Sequence, residues 1–208
     1  MSSKVSERTD PPEELIGSGV VVAVVGPSGA GKDSVMNHAR ERLGALASEV
    51  SFIRRIITRP MDGNTEDHDS VDAAAFERLI ADDAFAAYWS ANGLRYGLPA
   101  SVDTIVRAGG VVVANVSRAV IPALRDRYAH VLPVVITAPA HILAQRLETR
   151  GRESREEVAA RLERADAQEL AVEGAVTIVN DGDLADASEK FLTILRKAAA
   201  WSDVGDTV

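Results

Sequence analysis

The stretch Val20-Val21-Val22-Ala23-Val24-Val25-Gly26-Pro27-Ser28-Gly29-Ala30-Gly31-Lys32-Asp33-Ser34 decides how the chain is read. Six consecutive apolar residues without alternation fit a central parallel strand covered on both faces. Val35, Met36, Ala39 and Leu43 then recur at helical spacing until Gly44. Between the strand and the helix, Gly26, Gly29 and Gly31 allow a tight turn that brings no side chain near a ligand. The N–H groups of such a turn, with the positive end of the helix, form a cradle for phosphate oxygens. Lys32 is spaced to reach the β- and γ-phosphates of a nucleotide. The bland alternative is an ordinary glycine-rich turn, but the pattern G-x-x-x-x-G-K is complete and stands in strand–turn–helix context. Where the pattern usually carries a Ser or Thr that touches Mg²⁺, this chain has Asp33, with Ser34 one place later. A carboxylate also suits a hard cation, so Asp33 and Ser34 both stand as candidate Mg²⁺ ligands.

The 208 residues are enough for one sizeable core. Lys and Arg number 23 against 31 Asp and Glu, a net charge of −8, which argues against a general nucleic-acid binder. An anionic ligand must therefore be held by local arginines and not by overall attraction. The chain has no cysteine, which excludes disulfide and thiol chemistry and fits a reducing cytoplasm. No apolar run approaches the roughly 18 residues that span a bilayer, and the N-terminus lacks the apolar core of a signal peptide. The expectation is a cytoplasmic protein acting on a small molecule, with no membrane and no nucleic-acid partner. Oligomeric state is not legible, and a homodimer is left open.

Residues 1–19 read as a polar, flexible leader and 201–208 as a similar tail, flanking one domain over 20–200. Residues 50–57 read as a strand carrying Arg54 and Arg55, followed by Thr58-Arg59-Pro60 and an acidic loop over 61–70. Asp72 can cap a short helix with Phe76, Leu79 and Ile80 on one face. Asn92-Gly93 predicts a small hairpin over about 88–96. Residues 111–114, 131–137 and 175–179 read as further strands. Pro139 suits the start of a helix with Ile142, Leu143, Arg146 and Leu147, Ser154-Arg155-Glu156-Glu157 is a capping box, and Asp183 opens a closing amphipathic helix. Buried strands alternating with helices predict an α/β domain: a parallel sheet with helices on both faces and its ligand at the strands' carboxyl ends.

Arg146, Arg150, Arg152, Arg155, Arg161 and Arg164 crowd one short segment. Alone, such a segment reads as a solvated face laced with Glu148, Glu153, Glu156 and Glu157. Behind a phosphate loop it reads instead as a mobile flap that neutralises a transferring phosphoryl group. Arg54, Arg55 and Arg59 form a second cluster, in which strand neighbours must point to opposite faces. His68 reads as a solvated residue, with a metal ligand or a base as alternatives; no second histidine stands at ligand spacing. Trp89 and Tyr96 read as packing residues.

Residues 26–34, Thr58-Arg59-Pro60, Gly93-x-x-Tyr96-Gly97, Arg146-Leu147-x-x-Arg150-Gly151, Arg161-Leu162 and Val179-Asn180-Asp181 resemble the guanylate kinase family in order and spacing, over about residues 20–198. The resemblance implies a nucleoside-monophosphate-kinase-like P-loop fold: a five-stranded parallel sheet, an acceptor-binding insertion over about 50–100 and an arginine lid over about 146–162. It implies ATP as donor with Mg²⁺, bound by Gly26, Pro27, Ser28, Gly29, Ala30, Gly31, Lys32, Asp33 and Ser34, with Asn180 near the adenine. It also implies catalytic roles for Lys32, Arg150 and Arg161. The departures are as informative. Positions that read the guanine edge in that family are Ala87, Leu98 and Asn115 here, an expected arginine is Asp62, and an expected acceptor-gripping tyrosine is His68. Guanine polar groups left unpaired against such residues would cost about 1–3 kcal/mol each. Gly-Lys-Asp-Ser in the loop, Ile57-Thr58-Arg59 and Asn115-Val116-Ser117-Arg118 resemble those relatives whose acceptor is ribose 1,5-bisphosphate, a sugar bisphosphate of phosphonate catabolism. The implied reaction makes 5-phosphoribosyl 1-diphosphate, with Arg55, Arg59, His68, Tyr96 and Arg118 holding the acceptor. Two alternatives stay open: a nucleoside monophosphate kinase of altered base choice, and a non-catalytic interaction domain built on the same fold.

Overall fold

The computed structural model describes residues 14–59, 68–149 and 172–204, together with the backbone of Val5–Ser6. In chain order the elements are β1 (Val5–Ser6), β2 (Val20–Val25), α1 (Lys32–Arg40), β3 (Val50–Phe52), β4 (Arg55–Ile57), β5 (His68–Ser70), α2 (Ala73–Ala81), β6 (Phe85–Ala91) and β7 (Leu94–Pro99). There follow α3 (Ser101–Arg107), β8 (Val111–Asn115), α4 (Ile121–Arg125), β9 (Val131–Thr137), α5 (Ala140–Thr149), β10 (Val176–Val179) and α6 (Leu184–Val204).

Strand β2 is buried along its whole length and sits at the centre of a parallel sheet of order β10-β9-β2-β8-β3. Its unbroken apolar run follows from the pleat. Val20, Val22 and Val24 face one core with α1 and α6, whereas Val21, Ala23 and Val25 face another with Val102, Val106 and Leu124 of α3 and α4. Because the strands run parallel, the residues at or just past their carboxyl ends share one edge of the sheet. Gly26, Asn115 and Asn180 are thereby gathered from distant parts of the chain.

A second sheet, of order β1-β6-β7-β4-β5, stands beside the first. Its hairpin β6–β7 turns at Asn92 (φ 51°) and Gly93 (φ 75°), the paired positive φ values of a tight two-residue turn. Asp72 caps α2 as expected, accepting from the Ala75 N–H at 2.6 Å. The stretch 50–57 is two strands, not one. Strand β3 pairs parallel with β8, the chain leaves that sheet at Ile53 and Arg54, and β4 pairs antiparallel with β7. No Gly, Pro, Asn or Asp stands between Phe52 and Arg55, so no turn residue marks the crossover.

The ends also differ from the reading of a loose leader and tail. Ile16 is 5% exposed, donates its N–H to Arg127 O and accepts from the Ala129 N–H, both at 2.9 Å. Strand β1 pairs antiparallel with β6. Backbone groups make such bonds whatever the polarity of neighbouring side chains. The last helix reaches Val204, inside the stretch read as tail.

Under Ile16 lies a buried polar cluster. Arg127 donates through Nε (2.9 Å) and Nη2 to the two oxygens of Asp103, and the Tyr128 hydroxyl donates to Oδ1 at 2.7 Å. Burial alone would raise the Asp103 carboxyl, but the hydrogen bonds from Arg127 and Tyr128, with the charges of Arg127 and Arg107, hold it below the usual range. Removing one partner of a buried pair strands the other charge. Asp103→Ala is therefore expected to lower unfolding free energy by about 3–5 kcal/mol in denaturant titrations. Because the folded value is depressed, this stabilisation is present above the unfolded pKa of about 3.9 and is lost as pH falls through the folded value. The gap between wild type and Asp103→Ala should close only in acid; a constant gap would contradict the assignment.

Candidate active site

The phosphate loop is shaped by what cannot fit. Gly26 has φ 145°, and a Cβ there would overlap the carbonyl oxygen of Ile136 on β9. Gly31, at the head of α1, has φ 82°, and a Cβ would lie 2.5 Å from Asn180 Nδ2. No side chain caps α1, so the N–H groups of its first turn point into the loop as a ready anion site. Asn180 braces the loop, donating Nδ2 to Ala30 O at 2.8 Å, while its own N–H reaches Thr137 O at 2.7 Å. Arg146 of α5 reaches the same Ala30 carbonyl at 3.5 Å. Lys32 is folded back, its Nζ donating to Gly26 O (2.8 Å) and Pro27 O (3.0 Å). Nucleotide phosphates are stronger, charge-assisted acceptors than these carbonyls, so the ammonium is poised for a local exchange of partners.

Facing the loop across a cleft of about 410 Å³ is the second sheet. Its contribution is a layered group: the Arg55 guanidinium lies 5.4 Å from the Tyr96 ring centre, and Tyr96 stacks on Trp89 with centroids 5.5 Å apart and planes 10° from parallel. Arg55 is only 9% exposed. Burial is the main influence that lowers its pKa, and the Arg59 charge adds to it, while Asp33 and Tyr96 pull the other way. Arginine holds its proton so strongly that the group remains a cation near neutrality. Arg59 lines the same cleft, as do Asp33, Asn115 and Ser117. Asp33 Oδ1 accepts from Asn115 Nδ2 at 3.0 Å, which joins the head of α1 to the end of β8.

The structure thus brings together Gly26, Ser28, Gly29, Gly31, Lys32, Asp33, Ser34, Arg55, Arg59 and Tyr96 around one opening. Pro27 and Ala30 belong to the loop but lie outside its lining, and Asn180 lies beneath it. His68 is 4% exposed, paired in register with Arg55 on the neighbouring strand and outside the cleft lining, so it is not the solvated loop residue expected. Arg118 follows Ser117 at the edge, half-buried and outside the lining. Arg150 and Arg161, with the lid beyond Thr149 and the capping box at Ser154, lie outside the described residues.

Of the positions compared with base-reading ones, Ala87 and Leu98 face each other across the hairpin and are closed into the apolar core; only Asn115 reaches the cleft. Trp89, a packing residue by its sequence, both packs and walls the cleft. Arg146 is a further loop contact, for which the available signal was its i,i+4 relation to Arg150.

A family model described as AAA domain matches residues 22–170. A protein of Chelativorans sp. (strain BNC1) named ribose 1,5-bisphosphate phosphokinase PhnN is 62% identical over 193 residues, covering 93% of this chain and 92% of that one. A protein of the same name from Brucella melitensis is 49% identical, covering 87% and 94%. Among solved structures, guanylate kinase from Anaplasma phagocytophilum superposes with a TM-score of 0.59 at 20% identity, covering 86% of this chain and 85% of that one, which shows a shared fold. With its phosphate loop and helix at the edge of a five-stranded parallel sheet, and with this degree of identity over most of its length, the chain belongs to the ribose 1,5-bisphosphate phosphokinase family of P-loop kinases.

Proposed function

We propose that this chain transfers the γ-phosphoryl group of ATP to the C1 phosphate of ribose 1,5-bisphosphate, giving 5-phospho-α-D-ribose 1-diphosphate and ADP. What carries the reading is one cleft with the phosphate loop on one side and Arg55 and Arg59 on the other. An acceptor with two phosphates and no base suits a wall whose cations are local and whose positions 87 and 98 are apolar core.

An oxygen of the C1 phosphate attacks the γ-phosphorus, the bond to the β,γ-bridging oxygen breaks, and ADP leaves with that electron pair. The attacking oxygen is already anionic at neutral pH, so the step needs no general base. What the protein supplies is positioning and charge. Lys32 exchanges its loop carbonyls for β- and γ-phosphate oxygens, and Arg146 stands over the loop beside it. Arg150 and Arg161 complete the cationic lid and close the reacting phosphates off from water. Arg55, Arg59 and Tyr96 hold the acceptor, with His68 and Arg118 as supports at the margin, and Asn180 keeps the loop in shape for the donor.

The tight passage at Gly26 and Gly31 and the bare head of α1 fit a triphosphate, and the oxygens of Ser34 and Asp33 lie at that head. Mg²⁺, when bound there, neutralises charge on the β- and γ-phosphates. Among the described residues no group of three or more His, Cys, Asp or Glu side chains is placed to hold a metal ion, so phosphate oxygens would supply much of its shell. No helix among the described residues is long and apolar enough to cross a membrane. A cytoplasmic location is part of the same proposal, and a chain without cysteine is compatible with a reducing compartment.

Lys32→Ala should lower kcat for formation of the diphosphate by at least about 100-fold in a chain that still folds; unchanged turnover would refute the loop assignment. In the same coupled assay, kcat/KM for ribose 1,5-bisphosphate should exceed that for GMP by at least about 10³-fold. Comparable turnover of GMP would sink the choice of acceptor and favour a nucleoside monophosphate kinase.

A further inference from the structure

Mg²⁺ in kinase sites is commonly held through one or two carboxylates together with substrate phosphates. Among the described residues that line the cleft, Asp33 is the single acid. Its place is unusual. Phosphate-loop enzymes hold the metal through a hydroxyl beside the lysine and an acid from elsewhere in the chain. Here the acid follows the lysine, and a neutral amide, Asn115, faces it from the end of β8. The sheet brings the two together, because Asn115 is level with Val24 of β2, just ahead of Gly26.

A carboxylate in this position works in two directions. It stands in the first turn of α1, beside N–H groups suited to receive phosphate. Left to turn, it would compete for those donors and repel the phosphates; with a cation between them, the same charge binds. Asn115 bears on which of these happens. Its Nδ2 donates to Asp33 Oδ1 at 3.0 Å, a charge-assisted bond from a side chain that is itself only 8% exposed. A buried amide is costly to leave unpaired, so the bond restrains both side chains. It engages one carboxylate oxygen without bringing a charge of its own.

Resting on the donor half of the reaction given above, we propose that Asn115 is a positioning residue for the magnesium of bound ATP. It holds Oδ1 of Asp33 and leaves the second oxygen for the cation. A position compared with a base reader thus serves the donor side, and the acid and its neutral partner stand in exchanged places.

The test uses the full chain with no acceptor present. Titration calorimetry follows the non-hydrolysable β,γ-imido analogue of ATP in saturating Mg²⁺ and in EDTA, and the ratio of the two dissociation constants is the gain that magnesium confers. Asn115→Leu keeps the bulk of the side chain and removes the donor; Asn115→Ala repeats the measurement with less bulk. Each should cut the gain by at least about tenfold, the loss typical of a group that orients a metal ligand, while affinity in EDTA holds. Asp33→Asn should cut the gain at least as far and bind the analogue in EDTA no more weakly than wild type. Adding Asn115→Leu to Asp33→Asn should then change nothing more, because the amide acts through the acid. A gain that survives in the Asn115 variants would overturn the proposal. A loss from Asn115→Leu that persists undiminished without the Asp33 charge would overturn it too, as would affinity lost equally in Mg²⁺ and in EDTA. Failure of the wild-type chain to bind the analogue in either condition is a separate result, since both residues are intact there; it defeats the donor reading, and the proposal falls with it.

Discussion

The backbone of Gly26 runs so close to the Ile136 carbonyl that no side chain can be placed between them. This contact sets where the chain leaves the central sheet, and much of the site follows from it. The loop must turn at once, with positive φ at Gly26, Gly29 and Gly31, and it enters α1 with the N–H groups of the first turn uncapped. A substituent at Gly31 would meet the Asn180 amide that steadies Ala30, so the brace and the turn depend on each other. Parallel strand direction then places Asn115 and Asn180 at the same edge, although they lie far from the loop in sequence. A sheet of mixed direction would have sent one of them to the opposite side.

The opposing wall is built on a different balance. The chain carries a net charge of −8, so attraction for a polyanion has to come from a few cations in a confined place. Arg55 is the most confined of them, and burial works against its charge. The Tyr96–Trp89 stack, which borders the cleft, offsets part of that cost. A guanidinium held in this way is already desolvated and oriented before the ligand arrives, which is the condition under which a charge acts most strongly on a phosphate. Apolar Ala87 and Leu98 complete the picture, since they make the hairpin a packed support with no hydrogen-bonding edge of its own.

Much of this was legible because it is local. The run 20–25, the turn at Asn92-Gly93 and the cap at Asp72 each write their physics within a few residues, and the structure shows all three. What was not legible depends on distance. Residues 50–57 change sheets at Ile53 and Arg54 with no turn residue to mark it, and Ile16 is held by backbone bonds to Arg127 and Ala129 that no nearby residue announces. Asp103 lies in α3 and the adjacent Arg127 and Tyr128 in the turn after α4, with no motif between them, so their cluster could not be read in advance. His68 looked solvated because its neighbours are acidic, yet pairing with Arg55 draws it inside. For Trp89 the sequence shows only packing, because alternation along a strand does not tell a core face from a cleft wall.

The central claim is that the two anion-binding walls act on one pair of phosphates across one cleft. A bisubstrate compound, with adenosine and ribose 5-phosphate joined through a polyphosphate chain from C1, tests it most directly by titration calorimetry. The account predicts binding at least about 100-fold tighter than ATP, with displacement by ATP and by ribose 1,5-bisphosphate alike. Affinity no better than that of ATP, with displacement by ATP alone, would contradict it.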